Sequence, residues 1–489
     1  MRKFENNVQL LKYKVLKEVA SSALNNSLEK DILDIPNRII PGPKPDTRCC
    51  IYKERAIITE RVKLALGGTP DNTNTIQVLD IACDSCPIQK YSVTEACRGC
   101  IAHKCKEACP FDAIEFSGQK AHIDTDKCKE CGRCAKACPY NAIIEVQRPC
   151  VKACKADAIS IDPDTKKASI NYDNCISCGA CVYQCPFGAI MDRSSIVDVI
   201  RLIQESNNNQ NYKVYAMIAP AISSQFTYAK IEQVITGIKK LGFHNVVEVA
   251  LGADIIAYYE STQVAQELEE KEWMTTSCCP AFVTYIKKNY PELIEHISTA
   301  VSPMIATSQL IKHTDKTAKT IFIGPCTAKK SEINEPDLKG EVDYVLTFEE
   351  LQALFDAHGI NVEECEEGIL DNASYFGRIF ARSGGVTDAI KHVVETNNLD
   401  VDIKPIICDG LTECSKNLKL AKFNRLQGNF LEGMACEGGC ICGPTSLSHG
   451  AKDKKEVDKY GKLAVETSVN DAIRIFNIDS LNLNREVKE

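Results

Sequence analysis

The chain is 489 residues long, with a hydrophobic share of 44% and a net charge of -8. That length and apolar content suit roughly three domains with true cores and exclude a small stapled fold, while the acidic balance excludes the basic face of a nucleic-acid binder. The 27 cysteines are odd in number and fall in C-x-x-C runs, and MRKFENNVQLLKYKVLKE lacks the apolar core of a signal peptide, so the expectation is thiols in a reducing cytosol rather than disulfides.

Residues 1–78 read as mixed helix and loop, broken at IPGPKPD (Ile40 to Asp46), where three prolines cannot continue a helix; the pair Cys49-Cys50 is the only visible chemistry there. From about Asp80 to Asp192 runs an internal repeat. CRGCIAHKCKEACPFDAIEF, CKECGRCAKACPYNAIIEV and CISCGACVYQCPFGAIMD share Cys-Pro, an aromatic residue and Ala-Ile, and a degenerate copy, CVKACKADAISI, precedes the last. Four half-units make two ferredoxin-like modules, expected over 79–148 and 149–200. From about Tyr212 an α/β half begins, expected over 212–445: VYAMIA, NVVEVA, TIFIG, DYVLT and KPIICD look like short buried strands, and residues 223–242 and 284–313 have helical spacing. No apolar stretch reaches the 18 residues of a membrane span; the best, NVVEVALGADIIAYY, is broken by Glu248 and Asp254. The chain is expected to be soluble, with a polar helical tail over 446–489.

C-x2-C-x2-C-x3-C-P is the spacing of bacterial 4Fe-4S binding, in which the fourth cysteine of a run crosses to the other cluster. Crossing assigns Cys97, Cys100, Cys105 and Cys138 to one cluster and Cys128, Cys131, Cys134 and Cys109 to a second. The first run has four residues, not two, before Cys105. Cys175, Cys178 and Cys181 with Cys154 make a third, although Lys155 replaces the proline. Its partner keeps only Cys150 and Cys185, because Ile144 and Gln147 stand where two cysteines belong. Cys83 and Cys86, in IACDSCPIQ, are otherwise unemployed and complete a fourth set, expected nearest the catalytic half; Cys49 and Cys50 are the alternative pair. A zinc ribbon also uses C-x-x-C pairs, but not repeated Cys-Pro runs.

Three further motifs stand in the α/β half: TSCCPAFV (276–283), GPCTAKKSE (324–332) and EGMACEGGCICGP (432–444). Adjacent Cys278 and Cys279 are too close for an ordinary disulfide, about 3.8 Å between Cα atoms. Cys279, Cys326, Cys436 and Cys440 supply four thiolates from separate loops, enough for one more cubane. Together these segments resemble the signature motifs of the FeFe hydrogenases, whose H-cluster joins a 4Fe-4S cubane to a two-iron unit with CO, cyanide and a dithiolate bridge. The resemblance implies that Cys279, Cys326 and Cys436 hold the cubane and that Cys440 bridges it to the two-iron unit. It further implies that Cys278 passes protons, that Lys329 and the Pro220-Ala221 segment contact cyanide, and that Met434 packs beside the irons. Ala221 lacks the hydroxyl more common in the family, and Gly324 lacks an apolar cover; such departures resemble the lineage called group B. Family members carry two glutamates before the first motif. Here Tyr259 and Thr262 stand near those places, with only Glu260 close by, whereas Ser298 matches the serine of the proton route.

The fold class implied is α+β and α/β multidomain, with tandem ferredoxin-like modules before a two-lobed catalytic domain. The function implied is reversible reduction of protons to H2 in the cytoplasm. About four accessory 4Fe-4S clusters would wire it to a ferredoxin or flavodoxin, and hydrogenase maturation proteins would supply the two-iron unit. Neither nucleic acid nor membrane is an expected partner. Lys127, Lys129, Arg133 and Lys136 are a candidate docking patch. The other readings are a hydrogenase-like iron-sulfur scaffold and a redox or H2 sensor.

Overall fold

The computed structural model describes residues 4–450 and 452–485; residues 1–3 of the expected N-terminal region, and 451 and 486–489 of the expected tail, lie outside the described residues. Asn6 caps the first helix, Asn7–Leu24, by accepting from the Gln9 amide. Its buried side chains Val15, Leu16, Val19 and Ala20 form one apolar stripe that packs on helices Ile196–Glu205 and Phe348–Ala357. On that stripe Lys12 reaches Asp192 and Glu349, each at 2.5 Å, while Lys330 reaches Asp192 at 2.9 Å and Glu350 at 3.1 Å. This buried charge network ties the N-terminal region, the end of the second ferredoxin module and the catalytic half together.

The two modules are not laid end to end along the chain. Strand Tyr91–Val93 pairs with Ile143–Glu145 and hairpin Ile114–Ser117/Lys120–Ile123 lies between them, which makes the first module. The equivalent outer pair of the second module is Ile76–Val78 with Ile190–Asp192, around the hairpin Ile159–Ile161/Ala168–Ile170. The second module therefore starts before the first and encloses it. Boundaries at 79 and 149 cut through this pairing, because backbone hydrogen bonds, not chain order, decide which strand closes which module.

The α/β half, residues 212–445, holds two parallel sheets. One has the order Asn245–Glu248, Val214–Ile218, Lys319–Gly324, Tyr344–Thr347; the other has Met274–Thr275, Phe430–Met434, Pro405–Asp409. Each sheet belongs to one lobe. Between them runs helix Val249–Lys271, apolar on nearly every side and buried along its first turns. The segment closest to a membrane span is thus an interior strand and helix, and among the described residues no helix is long and apolar enough to cross a membrane. In the described part of the tail, Tyr460 donates to Glu248 at 2.6 Å, and Arg378 clamps the same carboxylate at 2.8 Å through two nitrogens.

Candidate functional site

A repeated turn explains the Cys-Pro-x-x-Ala pattern. Three residues after Cys109, Cys138, Cys154 and Cys185 stand Asp112, Asn141, Asp157 and Gly188, all with positive φ, a conformation that Asp, Asn and Gly tolerate best. The turn aims the next amide back at the sulfur: Ala113, Ala142, Ala158 and Ala189 donate to those four Sγ atoms at 3.2 to 3.4 Å. Such bonds favour thiolate over thiol, as a cluster ligand requires.

The structure gathers the cysteines in fours. Cys97, Cys100, Cys105 and Cys138 line one small pocket; Cys109, Cys128, Cys131 and Cys134 line another; Cys154, Cys175, Cys178 and Cys181 line a third. Cys83, Cys86, Cys150 and Cys185 also converge. Burial, then Cys185, Cys86 and Cys83, push Cys150 up to about 11. That set is not nearest the catalytic half, contrary to the sequence expectation. Cys178 of the third set faces the catalytic cavity, because its loop locks onto the catalytic loops. Thr327 donates to the Ser177 carbonyl at 2.7 Å, and at Gly179 a Cβ would meet Thr327 Oγ1 and Pro444 at 2.5 Å. The Cys49-Cys50 pair lies at the start of helix Ile51–Ala65, Cys49 exposed and Cys50 half-buried. Of the candidate docking lysines, Lys127 is paired with Glu115 and Asp124.

The central cavity, about 90 Å³, is lined by Cys278, Cys279, Cys326, Cys436 and Cys440 with Lys329, Met434 and Pro220. Pro220, Cys278, Cys326 and Cys436 each follow the C-terminal end of a parallel strand, where side chains from separate crossovers converge. The five thiols keep some accessible surface because they face the cavity. Burial, reinforced by repulsion among them, lifts Cys326 to about 11, Cys440 to about 12 and Cys436 well above the ordinary range. Thiols so placed lose their protons readily only to a metal that replaces them. A soft four-sulfur ring with one spare thiol and an otherwise apolar wall fits a cubane carrying a second iron unit. Ala221 is fully buried beside Pro220 and does not line the cavity. Where Gly324 lacks a side chain, the Phe322 ring fills the space, 2.5 Å from where a Cβ would stand, and restores an apolar wall.

Lys329 donates to Glu332 at 2.6 Å within the site. Burial works to strip its proton, but Glu332, Cys326 and Cys278 hold it, with a net upward shift. Its neighbour Lys330 is spent on the charge network. Burial lifts the Cys278 thiol well above its ordinary value, and the nearby Glu260 carboxylate adds to this. Glu260 is fully buried, and neither carboxylate oxygen has a well-formed hydrogen bond among the described residues. Ser298 and the Ser277 amide are near enough only to moderate its rise to about 7. Ser298 donates to Gln263 Oε1 at 2.8 Å. Glu260, the one carboxylate expected near these places, thus lies beside Cys278, and Gln263 adjoins Ser298. Gln263 escaped the sequence reading, as did Glu432, a buried carboxylate that accepts from Gly384 and Thr387.

Residues 212–444 match a family model described as iron only hydrogenase large subunit, C-terminal domain; residues 148–189 match a 4Fe-4S dicluster domain and 121–144 a 4Fe-4S binding domain. Iron hydrogenase 1 of Clostridium pasteurianum is 29% identical over 441 residues, spanning 78% of this chain and 75% of that protein. A cytosolic Fe-S cluster assembly factor, NAR1, of Debaryomyces hansenii is 30% identical over 187 residues, 33% of this chain and 34% of its own. A solved FeFe-hydrogenase, from work on oxygen inactivation at the 2Fe subcluster of the H cluster, shares the fold. It has a TM-score of 0.50 and 19% identity, over 60% of this chain and 96% of the other.

Proposed function

From a chain whose residues 212–444 match the iron-only hydrogenase family model, we propose an enzyme that interconverts protons and H2, with electrons relayed through 4Fe-4S clusters. The H-cluster, when bound, supplies the two-electron chemistry at iron. Cys279, Cys326, Cys436 and Cys440 would hold it; Lys329, kept charged by Glu332, would offer a charge-assisted bond to an anionic group there; Met434, Pro220 and Phe322 line the wall and exclude water. Cys278 exchanges protons at Sγ with the reacting centre. Glu260, whose carboxyl titrates near 7, takes them onward toward Ser298 and Gln263, its value matched to proton transfer at neutral pH. Four accessory clusters, on the four sets of cysteines above, carry electrons to an acidic one-electron carrier of the ferredoxin or flavodoxin kind. Maturation proteins deliver the two-iron unit, and the work is done in the cytoplasm.

One observation carries this reading: a fifth thiol, Cys278, faces the four-sulfur cavity with a buried carboxyl of neutral titration beside it. A scaffold that only holds clusters has no use for a proton relay. The similarity to a cluster assembly factor favours that second reading. Infrared spectroscopy under H2, on chain matured with the two-iron unit, separates the two. Carbonyl and cyanide bands that respond to H2 are expected; no carbonyl bands and no gas exchange leave an electron-carrying scaffold.

A further inference from the structure

The dicluster match over 148–189 contains six cysteines where two cubanes need eight. In the first module, strand Tyr91–Val93 leads into Cys97-x2-Cys100 and then Cys105-x3-Cys109. In the second, strand Ile76–Val78 leads likewise into Cys83-x2-Cys86. The chain then departs through the whole first module before resuming with Cys150-x3-Cys154. The excursion closes on itself: the Val146 amide donates to the Lys90 carbonyl at 2.6 Å. Cys83 and Cys86 are thus the first half of a ligand run that the first module interrupts.

Around this set stand three arginines. Arg61, on helix Ile51–Ala65, is 1% exposed. It donates only to the Phe187 carbonyl at 3.2 Å and the Met191 sulfur at 3.1 Å; its Nε has no acceptor, and it makes no ion pair among the described residues. The charged groups that face it are Arg48, another cation, and Cys185 of the set itself; burial and Arg48 bring it down to about 10, still a cation at neutral pH. Arg48 donates to the Ala82 and Phe187 carbonyls and also pairs with Asp84 at 3.4 Å, so it is partly neutralised, whereas Arg61 is not. Arg148, 7% exposed and two residues before Cys150, donates to the Pro87 and Lys166 carbonyls and makes no ion pair among the described residues. A guanidinium buried without a carboxylate carries a large desolvation cost, which an anionic centre at the four sulfurs offsets. The cations beside the other sets, Arg98, Lys104, Lys129 and Lys288, are exposed and screened by solvent.

We propose that Cys83, Cys86, Cys150 and Cys185 hold a 4Fe-4S cluster assembled from an interrupted ligand run, and that the arginine cage makes it the most easily reduced of the accessory clusters. The proposal rests on the reading of these cysteine sets as cluster sites. One electron from a neighbouring cubane takes the four-thiolate centre from a charge of -2 to -3 with no proton moved; a buried cation stabilises the second state more than the first and raises the potential. An electron leaving the catalytic cavity through the third set therefore falls into this station. The N-terminal region, silent as sequence, supplies two of the three charges that set it, Arg61 from helix Ile51–Ala65 and Arg48 from the loop before it.

The test uses full-length chain reconstituted with iron and sulfide but without the two-iron unit, so no outcome depends on H2 turnover or on the hydrogenase reading. In Cys83→Ala/Cys86→Ala the iron content is expected to fall by one cluster relative to the parent chain, and the highest midpoint in an electron paramagnetic resonance redox titration to vanish; unchanged iron overturns the ligand assignment. In Arg61→Met that midpoint is expected to move negative while the others stay, and Arg61→Lys to restore it. Should Arg61→Met not accumulate, Arg48→Gln and Arg148→Gln carry the same expectation. Unmoved midpoints in the variants that accumulate, with iron content intact, overturn the cage.

Discussion

Glu260 has its carboxyl at 0% exposure with no well-formed hydrogen bond, a placement that costs stability whenever the group is charged. Its value rises from 4.5 to about 7 in the fold, so the folded state binds the proton more tightly than the unfolded chain. The sign follows: the neutral group costs nothing below about pH 4.5, and the cost grows to roughly 3 kcal/mol above pH 7. Glu260→Gln should thus stabilise the cofactor-free chain at pH 8 and leave it unchanged at pH 5, as thermal unfolding at the two pH values would show. On the proposed route the same change takes away the carboxyl that would accept protons from Cys278, so turnover of matured chain should drop about 100-fold or more. Full activity in Glu260→Gln would remove this residue from the route. Lys329 poses the reverse case: Lys329→Met should leave Glu332 buried without its partner and weaken both fold and cofactor retention, whereas Lys329→Arg should keep the pair but crowd the cavity.

At the scale of elements, the charge network under the first helix is the main tie between the halves. Lys12 is raised by Asp192 and Glu349 against its burial, and Asp192 is lowered by Lys12 and Lys330 against its own. A raised lysine gives stability that is full below about 10.5, and a lowered aspartate gives stability that is full above about 3.8, while Glu349, raised by its burial, gives some back as it ionises; docking of the helix should hold between those limits and weaken progressively outside them. Lys12→Met leaves two carboxylates buried with one cation fewer and should cost about 3 to 5 kcal/mol, read as earlier denaturant unfolding and faster proteolysis of residues 7–24. Nothing in NVQLLKYKVLKEVASSAL foretold this, since the partners lie 180 and 337 positions away. The five β-branched runs of the catalytic half, by contrast, all contain strands, because short β-branched runs bounded by turn residues need no tertiary information to be seen, even where one, Pro405–Asp409, leaves Ile407 exposed. Two strands stayed hidden. Met274–Thr275 is too short for any period, and Phe430–Met434 carries Glu432, whose charge reads as surface until Gly384 and Thr387 are found satisfying it. Glu260, the carboxylate singled out from the sequence, does stand beside Cys278, whereas Gln263 one turn on was missed, because helix Val249–Lys271 is buried along most of its length and offers no clean polar face to fix which residues look inward. The signature cysteines were legible because fixed spacing is local; the converging geometry, the nested module and the arginine cage are not.

Over the whole molecule, neighbouring cysteine sets adjoin one another from the central cavity outward. Cys178 faces the catalytic cavity, and Cys181 lies close enough to feel Cys150 of the caged set. The neck of the first module follows, where Lys90 meets Glu130 of the Cys128 run and Tyr91 packs over Gly132. Beyond it, the Cys97 set ends at the inserted loop, with Ile101 99% exposed. The first module is thus an excursion whose two ends touch, the arrangement under which whole domains can be inserted or removed without disturbing their host. Deleting residues 91–145 and joining Lys90 to Val146 through a short glycine linker should leave the second module and the catalytic half folded, because neither of their sheets contains a strand from the deleted segment. The shortened chain should bind two cubanes fewer and keep H2 exchange with a small-molecule reductant after maturation, while losing turnover with a protein carrier. Loss of the catalytic cubane in that variant would show that the modules fold as one unit. Undiminished turnover with a protein carrier would place electron entry at the second module instead of the distal loop.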